Sequence, residues 1–346
     1  MLKRHGTNRR HSALLVILSG MVVCAGCRET LPTDDGTTPH IGNAHLFVPI
    51  GTLRSPRGIA VDSSGDVWVA DTYGDRIIRY APDGQVRNSI SGVVLPSSMG
   101  VDRAAGSPLA IVNGNTVIRI NPATNDVTTL ATLSSLSIDA DSVFNVVTRQ
   151  QETRTLFLNE VGDIDGSPNG DIHVSIQSSS TENYVLRVRG GVPTAVAYSR
   201  QAQVDTTAYG ARFVASDEFN DVYTGFVVPN LQSLGILQPY LYTPGNVQLS
   251  QPLSVPELTG HAKGACSHVS GFLYIADPAS NGILIISASS EHTIGIVDIP
   301  AIAGMTEPAP WDVAVATDGT IYATVVDLLD VGHQLGAVVE FVPESR

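Results

Sequence analysis

The sequence predicts an all-β fold: a six-bladed β-propeller of four-stranded antiparallel blades. Three observations carry this. The chain holds 32 Gly and 20 Pro in 346 residues and only 15% charged residues, a mixture that suits short strands and tight turns better than helices. No long segment beyond the N-terminus shows a 3.6-residue apolar period. Finally, one strand–turn pattern returns six times along the chain.

The first copy is the clearest. Within SPRGIAVDSSGDVWVADTYGDRIIRYAPDG, residues 55–84, GIAVD reads as a strand, SSG as a tight turn and DVWVAD as a second strand. TYGD then turns into RIIRYAP, DG turns again, and QVRNSI is a fourth strand. Four antiparallel strands in about forty residues make one propeller blade. The second-strand markers recur as PLAIVN at 108–113, DIHVSI at 171–176, DVYTGF at 221–226, FLYIAD at 272–277 and TIYATV at 320–325. Val67 to Ile321 spans five intervals, a mean of about 51 residues. Third-strand echoes follow each, from VIRINP at 117–122 to VVEFVP at 338–343.

The first copy resembles the NHL-repeat family, whose blades carry G-I-A-V-D, then V-W-V-A-D-T, then R-I-x-R-Y. Residues 57–80 match this pattern closely and 272–285 moderately. The resemblance implies a six-bladed propeller over 45–346.

Chain ends bear on ring closure. The sixth copy stops after VVEFVP without an outer strand, while HLFVPIGTL (45–53) is strand-like and precedes the first blade. The expectation is that 45–53 supplies the missing strand and closes the ring on the C-terminal blade, leaving no unpaired edge. Copies two and three are 63 residues apart, from Leu109 to Ile172. The surplus, 134–158, either extends a blade or forms a loop over one face. A second apolar, Pro-containing stretch at 227–239 reads as a lengthened turn in the fourth blade.

The N-terminus reads as a targeting segment. A basic MLKRHGTNRRHS precedes the apolar ALLVILSGMVV, which is short for a spanning helix. The following Cys-Ala-Gly-Cys resembles a bacterial lipoprotein signal, with 1–26 cleaved and Cys27 the lipid attachment site; Cys24 departs from that pattern. Residues 27–44 then form a lipidated Cys and a polar linker. The expected localisation is the bacterial envelope by lipid anchor, with plain secretion the alternative. Removing 1–26 takes away Lys3, Arg4, Arg9 and Arg10, four positive charges, so −13 becomes −17. Such a surface repels phosphate backbones, which argues against nucleic-acid partners. Cys266 is the one cysteine outside the leader region, so neither a disulfide framework nor a Cys-based zinc site is expected.

The candidate sites are of three kinds. Residues opening the first strands line a propeller's channel mouth: Arg57, Met99, Asp163, Arg212, Lys263, Trp311 and Asp312. Mixed charge beside a Trp suits a small polar ligand. A column after the second strand, Asp71, Asn113 and Asp277, together with His268, is the candidate set for Ca or Zn. Gluconolactonase-like propellers and the amidating lyase gather metal ligands from several blades; this set matches neither residue by residue. A further column, Asp62, Asp102, Asp165, Asp217, His268 and Ala316, follows the first strand and reads as turn chemistry. No nucleophile elbow or phosphate loop occurs.

The leading expectation is therefore a monomeric, non-catalytic binding or scaffolding module for an envelope protein, peptide or glycan. The alternative is a metal-dependent propeller enzyme of lactonase (gluconolactonase-like) or lyase type.

Overall fold

A computed structural model describes residues 41–133, 138–145, 150–156, 160–179, 182–200, 213–227, 235–243, 246–249, 253–255, 257–258, 262–287, 292–330 and 335–343. Its strands form six sheets. Sheet 1 holds Pro56–Val61, Val67–Asp71, Arg76–Tyr80 and Val86–Ser91, each paired antiparallel with the next. Sheet 2 (Ser98–Asp102, Ser107–Val112, Thr116–Ile120, Val127–Thr132) and sheet 5 (Gly264–Ser267, Phe272–Asp277, Gly282–Ser287, His292–Asp298) repeat that meander. Sheet 6 holds Pro308–Val315, Ile321–Asp327 and Leu335–Pro343, and its fourth strand is Ile41–Arg54 from the other end of the chain. The architecture is an all-β propeller with four-stranded antiparallel blades.

Two sheets depart from four strands. Sheet 3 has Glu160–Gly166, Ile172–Ser179, Glu182–Arg189 and Val192–Arg200, then adds Ile138–Asn145 parallel to the last of these, with Gln150–Leu156 outermost. The insertion thus extends a blade and covers what would be a bare edge. Sheet 4 runs Val214–Ser216, Val222–Val227, Gly235–Thr243 and Asn246–Leu249, with Leu253–Val255 also paired to Gly235–Thr243. The stretch 227–239 is therefore not simply a turn: Gly235 onward is strand, in register with Val222–Val227.

The first strands of successive sheets pack against one another in order, 1 on 2 through 5 on 6, and sheet 6 packs on sheet 1. That approach is close. A Cβ on Gly58 would lie 2.7 Å from the backbone of Ser98 and Met99, and one on Gly166 2.6 Å from the carbonyl of Val101. Farther out, apolar side chains fill the gaps between sheets, as alternation places them. Trp68 is fully buried between sheets 1 and 2 with Met99 and Ile118, as its mid-strand position implied. Its Nε1 donates to Asp62 at 2.8 Å, and the Arg79 guanidinium lies 5.0 Å from its ring.

Ile41–Arg54 joins this packing. His45 lies opposite Glu340 and Leu53 opposite Gly336. Phe47, Val48 and Leu53 are buried with Ile59, Tyr80, Tyr322 and Val338. The Phe47 ring meets Tyr322 edge-on at 4.9 Å and Tyr80 at 5.8 Å, so one side chain links sheets 6 and 1.

Candidate functional site

Residues that open the first strands of sheets 1, 2, 3, 5 and 6 meet at one cavity, the channel mouth. Arg57, Ser97, Ser98, Gly162, Asp163, Lys263, Trp311 and Asp312 bound a cavity of about 70 Å3. Five of the residues expected at the mouth, Arg57, Asp163, Lys263, Trp311 and Asp312, are thus together. Arg212 lies outside the described residues. Met99 is a correction: its side chain is buried in the core between sheets 1 and 2, where an apolar chain belongs. Ser97 and Ser98 were not anticipated, because small polar residues after a Pro carry no distinguishing pattern.

Asp163 and Asp312 form the floor. Asp163 Oδ1 accepts from Ser98 Oγ at 2.7 Å and from Ile164 N at 2.8 Å. Its Oδ2 accepts from Val214 N at 3.1 Å and Ala265 N at 3.2 Å. One carboxyl on sheet 3 therefore ties sheets 2, 4 and 5. Asp312 Oδ2 accepts from Ile59 N at 2.9 Å, joining sheet 6 to sheet 1, and its Oδ1 accepts from Val313 N at 2.8 Å. The two occupy equivalent places. Each lies four residues before the turn that closes the first hairpin, and each backbone N–H donates to a hydroxyl of the second strand, Ser175 or Thr324. Burial pushes the Asp163 carboxyl up to about 8, against the pull of Ser98 and the backbone N–H groups. Burial also raises Asp312 well above the carboxylate range, and repulsion from Asp163 adds to it.

At the rim, two cations converge on one indole. The Arg57 guanidinium lies 4.9 Å and Lys263 Nζ 5.0 Å from the Trp311 ring. Arg57 also sits 5.5 Å from the ring of Tyr73, and its Nε donates to Ser55 Oγ at 3.0 Å.

The candidate metal set does not assemble. Asp71 is fully buried and accepts from Arg54 N and from Arg76 Nε, the latter at 2.7 Å. Asp277 caps a 3-10 turn, accepting from Ala279 N. Asn113 is a left-handed turn residue at φ 51°. These three belong to turns of separate sheets. His268 lies at the other end of the first strands, lining a cavity of about 230 Å3 with Arg103 and Asp165. Its Nδ1 is 2.7 Å from Ser270 Oγ. Among the described residues no three His, Cys, Asp or Glu are grouped to hold an ion. Asp71, Asn113, Asp277 and His268 therefore do not form one Ca or Zn centre.

The turn column holds, with one slip. Asp62 and Asp217 each accept backbone N–H groups two and four residues on, as turn-forming carboxylates do. In sheet 3 the matching hairpin bond is Ser167 N to Asp171 O, alongside Asp62 N to Asp66 O. Ser167 therefore fills that place. Asp165 instead accepts from Val101 N and Ser216 N on neighbouring sheets.

Comparison with known proteins bears on what this channel does. The profile described as SMP-30/Gluconolactonase/LRE-like region matches residues 32–98. No curated protein matches the chain. Similar solved structures include a gluconolactonase from Xanthomonas campestris, 14% identical over 90% of this chain and 96% of that one, TM-score 0.57. A luciferin-regenerating enzyme is 12% identical over 84% and 92%, TM-score 0.54. A streptogramin B lyase is 11% identical over 86% and 97%, TM-score 0.52. At such identities the structures show a shared fold. The profile match corrects one expectation and places another beside a related family. The first repeat lies inside the span matched by the SMP-30/gluconolactonase profile, and NHL propellers are a related kind. A non-catalytic scaffold is no longer the better reading, since the matching region is described by enzymes.

Proposed function

We propose that the chain is a propeller hydrolase acting on lactones, with its reaction at the mouth bounded by Ser98, Asp163, Lys263, Trp311 and Asp312. The profile match at 32–98 carries the reading, because that span contains Arg57, Ser97 and Ser98, which bound the mouth. Water adds to the lactone acyl carbon, the ring C–O bond breaks, and a hydroxy acid results. Negative charge grows on the carbonyl oxygen as water adds, and the Lys263 ammonium supplies the opposite sign. The proton lost by water passes to Ser98 Oγ as the Ser98 hydroxyl proton, already donated to Asp163 Oδ1, moves onto that carboxylate. With the Asp163 carboxyl raised to about 8, the ionised base becomes abundant only in mildly alkaline solution.

The test is proton release from a panel of γ- and δ-lactones between pH 6 and 9. The rate is expected to rise through about pH 8, and Asp163→Asn to lower kcat by about 100-fold or more and flatten the profile. Absence of hydrolysis across the panel, or a fully active Asp163→Asn, would refute the proposal.

The same reading takes the six sheets as six blades of one closed ring, with Ile41–Arg54 completing the last. The pairing of Ile41–Arg54 with Leu335–Pro343 and the packing of sheet 6 on sheet 1 support it. It also keeps export and lipid attachment at Cys27, for which metabolic labelling with an alkyne fatty acid, lost in Cys27→Ser, is the direct check.

A further inference from the structure

We propose that the channel mouth binds a carboxylate carried on a ring compound, with Arg57 as its principal anchor. The inference rests on the lactone reading only for the ring; the carboxylate follows from the mouth itself. Arg57 is a cation held in place by neutral groups. Ser55 Oγ takes its Nε–H, and the rings of Tyr73 and Trp311 flank its guanidinium. Among the described residues no carboxylate pairs with it, and its Nη groups have no acceptor there. A guanidinium so placed keeps its fork for a planar, two-oxygen anion.

The floor does not neutralise it. Asp163 spends its oxygens on Ser98, Ile164, Val214 and Ala265, and Asp312 on Ile59 and Val313. Lys263 brings a second positive charge to the same indole. This concentration occurs in a chain of formal charge −13. The cavity beneath, about 70 Å3, admits a small group rather than a whole molecule. The ring of the ligand is left at the rim, where Tyr73 is 37% exposed beside Trp311.

The test compares two probes that share a pyranose ring, D-glucuronate and methyl α-D-glucopyranoside, by titration calorimetry on the full chain. Glucuronate is expected to bind at least about tenfold tighter. Its affinity should fall about tenfold in Arg57→Gln, less in Lys263→Gln, and fall again between 20 and 500 mM salt, as a charge contact requires. Equal affinity for the two probes, no binding of either, or glucuronate binding unchanged in Arg57→Gln would overturn the proposal. Lactone hydrolysis is read separately. A chain that binds glucuronate but opens no lactone sinks the hydrolase reading and leaves this one standing.

Discussion

Replacing Asp163 by alanine tests whether one carboxyl holds four sheets together. The substitution leaves Ile164 N, Val214 N and Ala265 N buried without their acceptor, while the Ser98 hydroxyl can rotate away. Three unmet N–H groups at about 1–2 kcal/mol each give a loss of about 3–6 kcal/mol. The loss depends on pH. Because burial raises the folded carboxyl from 3.8 to about 8, its contribution is fully present below pH 4 and declines as pH rises to about 8. Between pH 5 and pH 8 the decline is about 4 kcal/mol, from about 1.4 kcal/mol per pH unit. The alanine variant lacks this term, so the gap between it and the parent should be large at pH 5 and nearly closed at pH 8.5. Urea unfolding followed by tryptophan fluorescence at the two pH values measures it. A gap under about 1 kcal/mol at pH 5, or one that widens with pH, would refute the reasoning.

Other perturbations follow from the same packing. Phe47→Ala should cost about 3–4 kcal/mol by urea unfolding, since the ring is buried against Tyr80 and Tyr322; an unchanged midpoint would mean the N-terminal strand contributes little. Gly58→Val should yield little soluble folded protein, because its Cβ meets the Ser98–Met99 backbone at 2.7 Å; a native circular-dichroism spectrum at normal yield would contradict this. Trp68→Phe keeps the apolar fill but leaves Asp62 Oδ2 without the indole donor. A loss of about 1–2 kcal/mol is expected, checked by the same unfolding assay.

Repetition made the strands legible, because period-two alternation and Gly or Asp turns are local signals. GIAVD and DVWVAD are strands where the pattern placed them, and Trp68 is core. The extra strands of sheet 3 were harder: 134–158 has no repeat to compare with, and an edge-covering hairpin is decided by what edge it finds. The mouth was legible in part, since a residue opening an inner strand must face the channel. Lys263, Trp311 and Asp312 follow from that rule alone. What Asp163 and Asp312 bond to did not, because each reaches backbone N–H groups on strands remote in sequence, Asp312 to Ile59 being 253 residues apart. The aspartate column slipped by two in sheet 3 because GDIDGS offers two aspartates, and only the hairpin bond at Ser167 tells which position is the turn.

The pairing of Ile41–Arg54 with Leu335–Pro343 also sets an order of events. A chain made from its N-terminus must keep this strand waiting until Leu335–Pro343 has emerged. Until then Phe47, Val48 and Leu53 lack part of their apolar cover, and sheet 6 has an open edge. Contacts of such sequence separation form late and slowly. Loss of Leu335–Pro343 leaves bare strands able to recruit another chain.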